Sequence, residues 1–326
     1  MTRTVLVAGP PLAAEAQAFA QEQGVRCEAM EAYSDTATIA RRCAELQPDA
    51  LIVRMGKITE EIIDASKALR VIVKHGVGYD NIDLEAANRR GIPVLIARGT
   101  NAQSVAELAF ALMFSVARST PWLDARTRSG HWDKAQHTGI ELMGKSLGVV
   151  GLGSIGLALA RMVAPLNIKV RIFDPYLKGE VGLAGAEVVD DLHALIRRSD
   201  ILSLHCPLTE ATRNLIGAKE LELLGPRGIL INTARGGLID EGALFEALAT
   251  HRIAGAGLDT FAQEPPPKDS PLWALPNLVA TPHVGANTHE SRARVGVRTL
   301  ELALEVLEGK LSDPGSVVNA QALATA

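Results

Sequence analysis

Cysteine is scarce in this chain of 326 residues: there are three, Cys27, Cys43 and Cys206, and their spacing matches no metal-ligand pattern. So small and odd a number fits a reducing compartment better than a disulfide framework. Basic charge is not in excess either. Lys plus Arg is 33 against 37 for Asp plus Glu, a net charge of −4. A protein gripping nucleic acid by its phosphates would usually be basic. Long hydrophobic runs are also missing. A bilayer span needs about 20 apolar residues, and the most apolar stretch, residues 105–117, is shorter and carries Glu107. The N-terminal MTRTVLV runs into Gly9 and two prolines, too short for a signal-peptide core. Metal, nucleic acid and membrane are therefore not expected as partners, and the expected location is the cytoplasm.

What is there has the balance of a packed globular protein, 47% hydrophobic and 21% charged. At roughly 100–200 residues per domain, two domains are expected. Short β-branched runs at 5–7, 51–53, 71–73 and 94–96 alternate with helix-like segments at 13–23, 36–46, 60–68 and 84–90. A second series places strands at 147–150, 170–173, 201–204, 229–231, 255–258 and 278–280, and the chain returns to helix at 290–307. Near-continuous apolar strands separated by helices predict parallel sheets covered on both faces. The expected fold is α/β: two Rossmann-like, doubly wound parallel-sheet domains, one inserted into the other. Residues 101–287 are expected to form the cofactor domain. Residues 1–100 plus 288–326 are expected to form the substrate domain, with hinges at the crossings and a cleft between the two. The segment 103–118 is apolar nearly all round, as at a domain or subunit contact. With the polar, irregular stretch 119–146 that carries Trp122 and Trp132, it predicts a two-fold dimer.

Residues 147–156 read LGVVGLGSIG. Gly151, Gly153 and Gly156 have the G-x-G-x-x-G spacing, after a strand and at the opening of a helix that starts with Ser154 and Ile155. The first glycine permits the tight turn, and the third permits close helix–strand packing. The second lets a pyrophosphate approach N–H groups at the helix N-terminus. Asp174 ends the next strand, where an acid takes the adenosine ribose hydroxyls and repels a 2′-phosphate. The expected cofactor is NAD rather than NADP.

Three later segments carry polar residues where a plain sheet needs none: INTARGG at 231–237, LDTFAQEPPP at 258–267 and ATPHVG at 280–285. Arg235, Glu264 and His283 thus follow strand ends, where ligands bind in doubly wound sheets. With HGVGYDNIDL at 75–84, GTNAQSVAEL at 99–108 and HCPLTEATRNLI at 205–216, nearly the whole chain resembles the D-isomer-specific 2-hydroxyacid dehydrogenases. That group includes phosphoglycerate, glyoxylate/hydroxypyruvate and D-lactate dehydrogenases.

The resemblance implies hydride transfer between NAD(H) and C2 of a small 2-oxo or 2-hydroxy acid. It casts Arg235 as the carboxylate clamp, which a guanidinium fork suits. It casts His283 as the acid/base, since imidazole titrates near neutrality, and Glu264 as its partner. It also implies that backbone N–H groups of Val77 and Gly78 meet the substrate carboxylate, with Arg54 facing the substrate tail; Lys74 and His75 precede that loop. His205, Cys206, Pro207, Thr212, Thr233, Ala234, Arg235, Asp259, His283 and Gly285 match positions lining the nicotinamide or its ribose. Met55 replaces the serine that often follows the arginine in phosphoglycerate enzymes. No regulatory extension is expected beyond residue 326. A rival expectation, from the same resemblance, is an NAD(H)-sensing binding protein of the corepressor type.

Overall fold

The computed structural model describes residues 3–179 and 181–323. The chain divides into two compact units, Met1–Asn101 with Ala286–Ala326, and Ala102–Gly285. Each is built on its own parallel sheet.

In the first unit the strands are β1 (Thr4–Ala8), β2 (Arg26–Ala29), β3 (Ala50–Val53), β4 (Val71–Lys74) and β5 (Val94–Ile96). They pair in the order β2-β1-β3-β4-β5, all parallel. Alternation along β1 sends Leu6 and Ala8 to one core, with Ile39, Ile62 and Ile63, and Val5 and Val7 to the other. The second core is closed by Leu300, Leu302, Ala303, Leu304 and Leu307 of the helix His289–Glu308, which arrives from the far end of the chain. Burying each leucine contributes roughly 1.5–3 kcal/mol. The same C-terminal segment laces the sheet edge: Val318 N donates to Val94 O, and Asn319 Oδ1 accepts from Val94 N. Strand β2 was not among the expected strands. Its sequence, RCEA, is half-exposed and lacks the apolar run that marks its neighbours.

The second unit has seven parallel strands: β6 (Ser146–Val150), β7 (Lys169–Phe173), β8 (Glu187–Val188), β9 (Ile201–Leu204), β10 (Ile229–Asn232), β11 (Gly255–Leu258) and β12 (Leu278–Ala280). Their order is β12-β11-β10-β9-β6-β7-β8. The direction of winding reverses between β6 and β9, which makes a crevice at their carboxyl ends. Apolar cores lie on both faces, as the runs ILSL, ILIN and GAGL require. The helix Ala102–Ala117 packs on β10, β11 and β12. A second helix, Thr120–Arg128, stands within the stretch expected to be irregular. None of its residues is buried, so it shows no apolar period, but Pro121 in its first turn favours initiation.

Two signs of absence concern the described residues. No helix is long and apolar enough to cross a membrane. No group of three His, Cys, Asp or Glu side chains could hold a metal ion.

Candidate active site

The glycine turn sits at the reversal point of the second sheet. Gly151 has φ +91, and a Cβ there would lie 2.7 Å from Cys206 N. A Cβ on Gly156 would lie 2.4 Å from Gly151 O. Gly153 is different: it faces open space, with nothing within 4 Å of a Cβ. It is also the N-cap of the helix Ser154–Val163 and offers no capping side chain. That leaves the opening N–H groups of Ser154 and Ile155 for an anion. Asp174, just past β7, accepts from Leu152 N at 2.8 Å and Tyr176 N at 2.9 Å, so its carboxylate is fixed against the turn. These features fit a dinucleotide: a close backbone approach, an uncapped helix end and an acid at the ribose position.

His205 follows β9, and its N–H donates to Val150 O at 2.8 Å. Burial pushes its imidazole down to about 4, so it is neutral at neutral pH. Its Nε2 meets Ser203 Oγ at 2.8 Å, while Nδ1 is buried without a partner, as is Thr233 Oγ1. Two orphaned polar atoms at the ends of the neighbouring strands β9 and β10 again suit a polar ligand. Burial pushes the Cys206 thiol up to about 11, which makes it a wall of the crevice and not a nucleophile. The Thr212 hydroxyl donates to Pro207 O at 2.7 Å and accepts from Thr209 N at 2.7 Å, fixing the turn after Pro207.

The three expected catalytic side chains follow adjacent parallel strands, β10, β11 and β12. His283 Nδ1 and Glu264 Oε2 lie 2.7 Å apart. Glu264 Oε1 accepts from Phe261 N at 3.1 Å. Burial raises the Glu264 carboxyl, but the hydrogen bond and charge of His283, the Phe261 N–H and the Arg235 guanidinium outweigh it. The net position is below the ordinary carboxylate value, so Glu264 is an anion at neutral pH. His283 itself has φ +54, a conformation uncommon outside glycine.

Two buried residues set these side chains in place. Asp259, 1% exposed, accepts from Thr281 Oγ1 at 2.6 Å, Val284 N at 2.9 Å and Gly285 N at 2.8 Å. Its carboxylate grips the segment on either side of His283. Asn232, fully buried, donates from Nδ2 to Arg235 O at 2.9 Å and accepts at Oδ1 from Ala234 N at 3.0 Å. That shapes the turn presenting Arg235, whose Nη1 donates to Ala234 O at 2.7 Å. Asn232 was not among the expected site residues. An asparagine closing a strand two residues before a turn was the available signal.

In the first unit, Arg54 follows β3 and Lys74 ends β4. Gly76 has φ +139, and the loop runs on through Val77 and Gly78. Neither the Val77 nor the Gly78 N–H donates to a protein acceptor among the described residues. Lys74 Nζ donates to Asn81 Oδ1 at 3.1 Å.

Comparison with known proteins identifies the relatives of this arrangement. Residues 110–285 match the sequence model of the D-isomer specific 2-hydroxyacid dehydrogenase, NAD binding domain. The chain is 44% identical over 273 residues to the D-3-phosphoglycerate dehydrogenase of Methanocaldococcus jannaschii, covering 83% of this chain and 52% of that protein. It therefore spans about half that relative's length. It is 43% identical over 256 residues to the hydroxypyruvate reductase of Thermotoga maritima, covering 78% of this chain and 83% of that one. A crystal structure of NAD+-bound 3-phosphoglycerate dehydrogenase from Entamoeba histolytica superposes with a TM-score of 0.82 at 27% identity, over 98% of this chain and 99% of that one. By its nucleotide turn, its strand-end constellation and these likenesses, the chain belongs to the D-isomer specific 2-hydroxyacid dehydrogenase family.

Proposed function

We propose that this protein is an NAD-dependent oxidoreductase that transfers hydride between NAD(H) and C2 of a small 2-hydroxy or 2-oxo acid. The observation that carries this reading is the His283–Glu264 hydrogen bond at the carboxyl edge of a sheet bearing the nucleotide turn. When bound, the nicotinamide supplies or accepts the hydride. Arg235 clamps the substrate carboxylate with its guanidinium fork, and the N–H groups of Val77 and Gly78 serve the same carboxylate. Arg54 serves the substrate tail. His283 gives a proton to the oxygen at C2 as the carbonyl is reduced, and takes it back in oxidation. Glu264 orients the ring and stabilises its protonated form. Asp174 takes the adenosine ribose and selects NAD over NADP.

The test is turnover of a panel of 2-oxo acids with NADH and NADPH side by side. Turnover with NADH preferred is expected. Tight NADH binding with no turnover of any acid would instead mark a cofactor-sensing binding protein.

Glu264→Gln carries a sign that separates chemistry from architecture. Without the anion, the protonated imidazole loses stabilisation. Reduction needs that protonated form, so its upper pH limit is expected to fall. Oxidation needs the neutral form, so its lower limit is expected to fall as well. A glutamate that merely supported the loop would lower activity and leave both limits where they were.

We also infer a two-fold dimer in the cytoplasm. The helix Ala102–Ala117 is apolar nearly all round, and the segment after it leaves Trp132 79% and Met143 63% exposed, which suits a subunit contact. The three free thiols suit a reducing compartment. Light scattering at micromolar concentration is expected to give twice the chain mass; a monomer would refute the dimer.

A further inference from the structure

The segment that carries Glu264 is anchored at both ends and open between them. Phe261 is buried in the core of the second unit, and its ring meets Trp273 edge-on with 5.5 Å between centroids. Three prolines follow Glu264. Ala262 and Gln263, between these anchors, are exposed. Exposed backbone has no packing to set its direction, so its N–H groups are aimed by the hydrogen bonds they make.

Two adjacent N–H groups here each donate to a carboxylate. Phe261 N donates to Glu264 Oε1 at 3.1 Å, while Glu264 Oε2 meets His283 Nδ1 at 2.7 Å. Ala262 N donates to Glu241 Oε1 at 2.7 Å. Hydrogen bonds to a charged acceptor are among the stronger kinds. Only the two soft dihedrals of Phe261 separate one N–H from the other. Holding the Ala262 N–H therefore restricts where the Phe261 N–H points, and with it the carboxylate of Glu264.

Glu241 opens the helix Glu241–Ala249. An acidic residue in a first turn ordinarily serves its own helix, through the dipole and the free N–H groups. Here Asp240 already caps the helix, its Oδ1 accepting from Ala243 N at 3.0 Å. The Glu241 carboxylate reaches away instead, to a residue 21 positions on. Glu241 also ends the short segment that begins at Arg235, whose Gly236 lies against the Phe261 backbone. One side chain thus braces the segment presenting Arg235 against the segment presenting Glu264, entirely within the second unit.

We propose that Glu241 is a positioning residue for the proton-transfer pair: by holding the Ala262 N–H it sets the Glu264 carboxylate on His283. Its kinetic consequence rests on the oxidoreductase reading. The charged groups that act on Glu264 are His283 and Arg235, and Glu241 works by its reach and not by its charge.

The experiment follows the titration of His283 by NMR in the full chain, labelled at histidine Cε1. His283→Ala assigns the signal among the eight histidines. The unaltered protein is compared with Glu241→Asp, Glu241→Gln and Glu264→Gln. Aspartate keeps the charge and loses the reach of one methylene; glutamine keeps the reach and an acceptor oxygen and loses the charge. Glu264→Gln is expected to lower the titration midpoint of His283, because the imidazolium loses its anion. Glu241→Asp should give at least half of that fall, Glu241→Gln a smaller fall than Glu241→Asp, and Glu241→Asp should add nothing once Glu264 is glutamine. A lesser fall in Glu241→Asp, an equal or larger one in Glu241→Gln, or the same fall with Glu264 already replaced overturns the proposal. A merely structural glutamate would lower stability and leave the titration where it was. In turnover with NADH, the upper pH limit of reduction should move down with His283. The kcat of Glu241→Asp should fall about tenfold, short of the ~10²-fold that a misplacement of about 1 Å can cost. If no 2-oxo acid is turned over at all, the oxidoreductase reading fails while the titration still decides the brace.

Discussion

Replacing His283 with alanine is expected to lower kcat by ~10²–10⁴-fold, the range in which a positioned general acid or base contributes. The loss belongs to the chemical step, because the proton moves only as the C2 oxygen gains or loses charge in the transition state. The fold should survive. The His283 side chain is 46% exposed and its hydrogen-bond partner is the Glu264 carboxylate, so truncation leaves no cavity and no buried orphan. Glu264 keeps its bond from Phe261 N. Single-turnover oxidation of NADH by a 2-oxo acid, with NADH affinity measured separately by fluorescence, isolates the effect. A kcat within tenfold of the unaltered protein would remove His283 from proton transfer.

The second large effect is expected from a single methyl group. A Cβ on Gly236 would lie 1.8 Å from Phe261 C, 2.1 Å from Phe261 O and 2.3 Å from Ala262 N. These are backbone atoms, so no side chain can swing aside. Gly236→Ala must push apart the segment presenting Arg235 and the segment leading to Glu264. Overpacking of this kind costs typically 1–3 kcal/mol, and a backbone-on-backbone clash belongs at the upper end, about 3 kcal/mol. Denaturant unfolding should show the loss in midpoint. Because the clash separates two site segments, kcat/KM should fall further than stability alone explains. Gly153→Ala is the matched control for stability. Its Cβ meets nothing within 4 Å, and the expected change in unfolding free energy is within ~1 kcal/mol. Equal stability losses for the two variants would show that the clash is relieved at no cost.

The sheets were legible in the sequence because their central strands are buried on both faces. Runs such as LIV at 51–53 and ILSL at 201–204 carry no polar interruption beyond Ser203. The edge strand β2 and the exposed helix Thr120–Arg128 were not, because neither presents an apolar pattern to read. At the site, the glycine turn announces itself by spacing, and the strand-end polar residues by their position after apolar runs. Asn232 is different. Its work is done on the backbone of Ala234 and Arg235 through a buried amide, which no period or composition marks. The position of Asp259 was readable, but its partners, Thr281, Val284 and Gly285, lie more than twenty residues on and carry no local mark of the contact. Glu241 and Ala262 stand 21 residues apart, and the approach of Gly236 to the Phe261 backbone, not any local pattern, brings their segments together.

The helix His289–Glu308 has a consequence for how the protein is made. The second unit is a continuous stretch of chain, complete once Gly285 has emerged from the ribosome. The first is begun earlier and finished later. Until Leu300, Leu302, Ala303 and Leu307 are synthesised, Val5, Val7, Val71 and Val73 lack the cover that closes their core. Until Asn319 arrives, the Val94 N–H lacks its partner. Of the two units, the one begun first is therefore the later to complete its core, and its apolar sheet face stays open while the other unit is being translated.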